Sequence, residues 1–183
     1  MIIRRAKPDD AGRLSEIYGY YVENTAISFE YTAPSADEFR ERIERISASY
    51  PYLAAQDEET GRIMGYAYAS RYKERAAYSY CCEVSIYLDK DARKQGLGRM
   101  LYEALEKELA DMGVLNLYAC VTCPAGDPDE YSDMNSAEFH TRMGYETVGR
   151  MHKCGNKFGR WYDTLWMEKF LGDHADEEER RKA

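Results

Sequence analysis

The sequence predicts a mixed α/β domain, and three observations predict it. Two amphipathic helical segments come early, extended apolar runs joined by a tight turn follow, and the second half alternates strand, helix and strand. The length of 183 residues suits one domain with a full hydrophobic core.

Ile2 to Ala6 reads as a short strand. Pro8-Asp9-Asp10 starts a helix, with proline near the first turn and acidic side chains complementing the dipole. That helix carries Leu14, Ile17, Tyr18 and Tyr21 on one face, and Ile27 to Tyr31 after it reads as extended. Ser35 caps a second helix, and Glu38 three residues on completes a capping box. Pro51 ends the helical region. Tyr52 to Gln56 is a strand that turns at Asp57 to Gly61 into a second, Ile63 to Arg71. Tyr78 to Leu88 is a third long strand. A helix follows in which Leu97, Leu101, Leu105 and Leu109 recur every four residues. Leu115 to Val121 is another strand, and Pro124 to Asp133 is too rich in Pro, Gly and Asp for regular structure. Asn135 or Ser136 opens a short helix that ends at Gly144. Tyr145 to Met151 and Arg160 to Phe170 form a last strand pair around Gly155 to Gly159. The domain is read as residues 1–172, and 173–183 as a charged, flexible tail.

Composition excludes several classes of function. A net charge of -8 argues against non-specific nucleic-acid binding, although a pocket can still be locally basic. No apolar run is long enough to span a membrane, and the N-terminus lacks a secretion signal, so a cytoplasmic protein is expected. The five cysteines form an odd set, against a disulfide framework. Cys120 and Cys123 are spaced as C-x-x-C but end a strand, and the few histidines are not spaced as partners. No metal site is expected.

The chemistry-bearing signals lie around the third long strand. Arg93-Lys94-Gln95-Gly96-Leu97-Gly98 joins it to the leucine-striped helix. Strand, glycine turn and helix N-terminus together can cradle a phosphate, because glycine lets the backbone approach and the first-turn N–H groups are unpaired. The spacing is neither the Walker nor the dinucleotide pattern, and an ordinary helix-entry turn has similar composition. Glu83 enters an apolar run, where a lone carboxylate is costly unless it has a partner or a task. Lys73, Arg75 and Tyr78 lead up to it, two cations and a phenol suited to an acidic group on a substrate, or simply a solvated strand end.

These features, in this order, resemble the GCN5-related N-acetyltransferases (GNAT), over about residues 2 to 171. The carrying segments are Ile3 to Ala6, Lys73 to Tyr78, Glu83 to Leu88, Arg93 to Gly98, His140 with Gly144-Tyr145, and Gly155 to Trp161. They are most similar to the phosphinothricin N-acetyltransferase branch. The resemblance implies the GNAT fold, a single mixed, mostly antiparallel sheet flanked by helices. It implies direct transfer of acetyl from acetyl-CoA, without metal, to the primary amine of a small amino-acid-like acceptor such as phosphinothricin or methionine sulfoximine.

By the same resemblance, Arg93, Lys94, Gly96, Leu97, Gly98 and Arg99 would hold the cofactor's pyrophosphate, and Ile86, Tyr87 and Leu88 its pantetheine arm. Asn135 would contact the cofactor, or serve as a plain helix cap. Glu83 would be the general base. His140 would act as an acid or position the substrate, or be a helix-face histidine bonded to a backbone carbonyl. Phe29, Lys73, Arg75 and Tyr78 would bind the acceptor. The implied partner is a small-molecule amine, with a homodimer possible and neither nucleic acid nor membrane. A different amine (a polyamine, an aminoglycoside or a protein N-terminus) and a CoA-binding sensor without turnover are the rival readings. The loop Cys123 to Met134 is longer than in that branch. It is expected to shape acceptor choice while contributing little to stability.

Overall fold

Alternation along one strand sorts the molecule into two layers. In Cys81–Leu88 (β4), Cys82 and Val84 enter a core with the leucines of Leu97–Asp111 (α3). Tyr87 points the other way, into a second core with Leu14, Ile17 and Tyr18 of Ala11–Asn24 (α1) and Phe39 and Ile43 of Ala36–Ser47 (α2). The sheet between these cores is seen in a computed structural model that describes residues 1–92 and 96–175.

Seven strands are ordered β1-β2-β3-β4-β5-β7-β6. The remaining strands are Ile2–Arg5 (β1), Tyr52–Gln56 (β2), Ile63–Arg71 (β3), Asn116–Pro124 (β5), Glu146–Lys157 (β6) and Arg160–Phe170 (β7). All neighbours are antiparallel except β4 and β5. The fourth helix, Asn135–Arg142 (α4), packs against β5 on the α3 side. No helix among the described residues is long and apolar enough to cross a membrane.

Local chemistry explains most boundaries. Ser35 Oγ accepts from Glu38 N while the Glu38 side chain accepts from Ser35 N, the reciprocal cap expected at α2. Gly96 has φ 73 at the N-cap of α3, a conformation that glycine adopts without a Cβ clash. The leucine stripe of α3 is fully buried.

Three expectations are corrected. The strand expected from Tyr78 begins at Cys81: Ala76–Tyr78 is a 3-10 turn, and the Tyr80 carbonyl accepts from Leu115 N and Asn116 N as β5 approaches. Ile27 to Tyr31 is bent rather than extended. It has no strand alongside it, and its backbone is held piecemeal by Tyr131, Lys157 and Thr122. The last turn is shorter than expected. Lys157 pairs Arg160 across a two-residue hairpin, Phe158-Gly159, both at positive φ.

The long loop before α4 is also pinned. Tyr131 O accepts from Ala26 N at 2.9 Å, and the Tyr131 ring stacks on Phe158 at 4.2 Å. Arg160 pairs with Glu130 and Asp129, and Tyr162 Oη donates to Asp129 Oδ2. Ser132 is buried. The loop is thus tied to the α1–α2 segment, to the Phe158 turn and to β7, contacts that bear on the expectation that it adds little to stability.

Candidate active site

Strands β4 and β5 pair only where Cys81–Glu83 meets Asn116–Tyr118. Beyond Glu83 they part, and the edge of Val84–Leu88 that faces β5 has no strand partner. A narrow cleft opens in the gap, reached by Ser85, Ile86, Tyr87, Val121, Thr122 and His140. Because it cuts through the sheet, it meets chemistry on both faces.

On the α3 side stand Tyr102 and His140. His140 is 4% exposed. Its Nδ1 lies 2.7 Å from Ser136 O, a carbonyl that can only accept, so Nδ1 carries the proton. Nε2, 2.9 Å from Tyr102 Oη, then accepts the phenol proton. Burial depresses the His140 pKa, and the Ser136 hydrogen bond only partly opposes this. The ring is therefore neutral at neutral pH, and its free lone pair is held by Tyr102. The expected acid is thus one half of a Tyr102–His140 pair.

On the opposite face, Glu83 and Ser85 alternate with the core residues of β4, roughly 7 Å apart along the strand. Burial raises the Glu83 pKa above its ordinary 4.5, and the charge of Lys73 pulls it part of the way back. Tyr118, Cys120 and Thr122 of β5 share this face, with Trp166 and Thr164 opposite Cys120 and Thr122 on β7. Cys120 opens onto the cleft but is flanked by protein. Desolvation, reinforced by Glu83, pushes its thiol up to about 11. Cys154 Sγ lies 3.3 Å from Thr164 Oγ1. Among the described residues, no cluster of three or more His, Cys, Asp or Glu is placed to hold a metal ion.

The other expected residues are distributed unevenly. Ile86 and Tyr87 line the cleft, whereas the Leu88 carbonyl is taken by Tyr21 Oη at 2.7 Å. Lys73, Arg75 and Tyr78 line a second recess with Tyr50 and Arg71, apart from the cleft, and of these Lys73 reaches Glu83 electrostatically. Phe29 packs its ring over Gly155, where an added Cβ would lie 2.2 Å from it.

Arg93 and Lys94 lie outside the described residues. Among the described residues nothing lies within 4 Å of where a Gly96 Cβ would be, so a bulky anion can approach its backbone. Gly98 is glycine for another reason: a Cβ there would meet the Phe139 ring at 2.9 Å. The Leu97 side chain is in the core, leaving only its backbone for a ligand, and Arg99 is exposed and paired with Glu103. Asn135 is exposed at the start of α4, its N–H and side-chain amide both donating to Asp133. Its neighbour Ser136 reaches the cleft. An open, left-handed glycine at a helix start beside a parted strand pair fits a long anionic thioester such as acetyl-CoA.

Tyr102 was missed by sequence reasoning. Its position beside Leu101 and Leu105 reads as core, yet a buried phenol needs a partner, and His140 was the unplaced polar aromatic. Lys157, one residue of the Gly155 to Trp161 segment with no role expected from sequence, is fully buried.

Comparison with known proteins agrees with this geometry. Residues 3–166 match the model of the acetyltransferase (GNAT) domain. A phosphinothricin N-acetyltransferase of Alcaligenes faecalis is 34% identical over 170 residues, 92% of this chain and 82% of the relative. An L-methionine sulfoximine/L-methionine sulfone acetyltransferase of Salmonella typhimurium is 30% identical over 176 residues, 96% of this chain and 97% of the relative. A phosphinothricin acetyltransferase of Sinorhizobium meliloti, solved in complex with acetyl-CoA, superposes with TM-score 0.83 at 35% identity, covering 93% of this chain and 88% of that one. A parted sheet that opens between a glycine-led helix and a half-buried carboxylate thus occurs in a chain that belongs to the GNAT family, as an acetyl-CoA-dependent N-acetyltransferase.

Proposed function

We propose that this enzyme acetylates the primary amine of a small amino-acid-like acceptor, of the phosphinothricin or methionine sulfoximine kind, by direct transfer with Glu83 as general base. The observation that carries the reading is the arrangement about the parted strands: a Tyr102–His140 pair lines the cleft, and Glu83, a carboxylate of raised pKa, is the last residue of β4 paired with β5 before the gap. Acetyl-CoA supplies the acetyl group as a thioester; the residues manage the protons.

A primary amine is mostly protonated at neutral pH and must lose a proton before it can attack. Glu83, two residues from Ser85 on the acceptor face, takes that proton through a bridging water. Tyr102, whose hydroxyl donates to neutral His140, can return its proton to the departing sulfur on the other face once the hydroxyl turns from His140 Nε2, and is reprotonated from solvent afterwards. Cys120 is no competing nucleophile, since a thiol held near 11 is scarcely ionised at neutral pH. Lys73, whose charge reaches Glu83, favours an acceptor bearing an anionic group, with Arg75 beside it in the second recess.

The test is a CoA thiol-release assay against L-phosphinothricin, L-methionine sulfoximine, L-methionine sulfone and its carboxamide, polyamines and peptides. The free amino acids should rank first and the carboxamide well below its acid. Glu83→Gln should lower turnover by about 10²–10⁴ with acetyl-CoA affinity unchanged. Preference for a polyamine would refute the acceptor class, and near-normal turnover of Glu83→Gln at pH 7 would remove Glu83 from the mechanism.

A further inference from the structure

Lys157 sits near the tip of the β6–β7 hairpin, where a lysine would ordinarily extend into water. It is instead 2% exposed. Its Nζ donates to Thr25 O at 3.0 Å and to Ser28 O at 2.6 Å. The carboxylate facing it, Glu30, is already held by both nitrogens of Arg42 and by Tyr18 Oη. Desolvation lowers the lysine's pKa, and Glu30 only partly opposes this. Burying an ammonium on backbone carbonyls is costly, so what it fastens is informative.

The fastened segment is the bent one between α1 and α2. It holds Ile27, which lines the cleft, and leads to Phe29, whose ring covers Gly155 on β6. Within the α1 side it is also held by Thr25, whose N–H and hydroxyl both donate to Tyr21 O, and by Tyr18 Oη, 2.7 Å from Ser28 Oγ. Thr122 Oγ1 donates to Ile27 O at 3.4 Å, and Ala26 N donates to Tyr131 O at 2.9 Å. No strand can pair with a bent backbone, so its diverging carbonyls need a donor with several protons on a long, flexible stem.

We propose that Lys157 is a positioning residue for the acceptor amine. Its ammonium locks Thr25–Phe29 to the hairpin and thereby sets the acceptor-side wall of the cleft, without touching the acetyl donor. This rests on reading that face of the cleft as the acceptor's. The side chain is far from Gly96 in sequence and joins no element of the α3 side, so its removal separates the two substrates.

The test is two-substrate kinetics on the full chain, using whichever amine of the panel above is turned over best. Lys157→Met keeps the length and removes the donors. The acceptor KM should rise at least about tenfold while that of acetyl-CoA stays within roughly twofold. Lys157→Arg, which keeps charge and donors, should recover part of the loss. Gly155→Ala, whose new Cβ would displace the Phe29 ring, should show the same split and decides the matter if Lys157→Met does not fold. An unchanged acceptor KM, or equal rises in both KM values, overturns the proposal. A best acceptor that is not an amino acid would defeat the acceptor class instead, and the KM split for that amine would still judge Lys157.

Discussion

With Glu83 as the proposed base, its protonation should set how the rate depends on pH. The base works only when ionised, and burial raises its pKa while Lys73 opposes the rise. Activity should therefore fall, with unit slope, as pH drops through a value above the ordinary 4.5. Lys73→Met removes the opposing charge, so the acid limb should move to higher pH. A pH profile of kcat/KM for the acceptor checks this, and an unmoved limb would mean that another group titrates. The stability effect has the opposite sense. A carboxyl with a raised folded pKa favours the fold below its unfolded pKa, and that contribution is lost as pH rises through the folded value. Glu83→Gln should thus be slow yet slightly more heat-stable at pH 7. Glu83 was legible because a carboxylate entering an apolar strand needs an explanation. Tyr102 was not, because no spacing rule connects it to a histidine 38 positions away.

Among elements, the helices and the β2–β3 hairpin were legible from caps, periodicity and turn residues. The segments between elements were not. Ile27 to Tyr31 has a strand-like composition but bends, because its partners are a lysine, a threonine and a loop carbonyl from distant parts of the chain. The loop 124–134 looked dispensable because polar, turn-rich stretches usually are. Its ion pairs with Arg160 are exposed and contribute little. Its other contacts matter more. Replacing Gly126 to Ser132 by a short Gly/Ser turn would leave Ala26 N without its acceptor and strip Tyr131 from Phe158. An unmade buried hydrogen bond alone costs about 1–3 kcal/mol, which for this chain length lowers the melting temperature by roughly 2–12 °C. Thermal denaturation should show that loss together with an altered acceptor ranking. A melting temperature equal to the parent's would return the loop to a free surface feature.

At the scale of the whole molecule, one sheet separates two cores and is itself incomplete. The α3 core and the α1–α2 core meet across β4, and the gap between β4 and β5 is the one place where the parallel pair leaves backbone unmatched along the cleft. A ligand that fills the gap joins the two halves of the sheet, so acetyl-CoA should act as a structural element as well as a substrate. The linkage is quantitative: at a hundredfold excess over its Kd, a ligand that binds only the folded state adds about 2.7 kcal/mol. For a chain of this length that is roughly 5–11 °C in melting temperature. Glu83→Gln should retain the full increment, because Glu83 lies on the face proposed for the acceptor. Gly96→Val should lose most of it, since a branched side chain at φ 73 both strains the turn and fills the open approach to the helix start. The difference between runs with and without acetyl-CoA isolates binding from any loss in the free protein. If Gly96→Val kept the increment while Glu83→Gln lost it, the donor would bind on the face assigned here to the acceptor, and the two sides of the cleft would have to be exchanged.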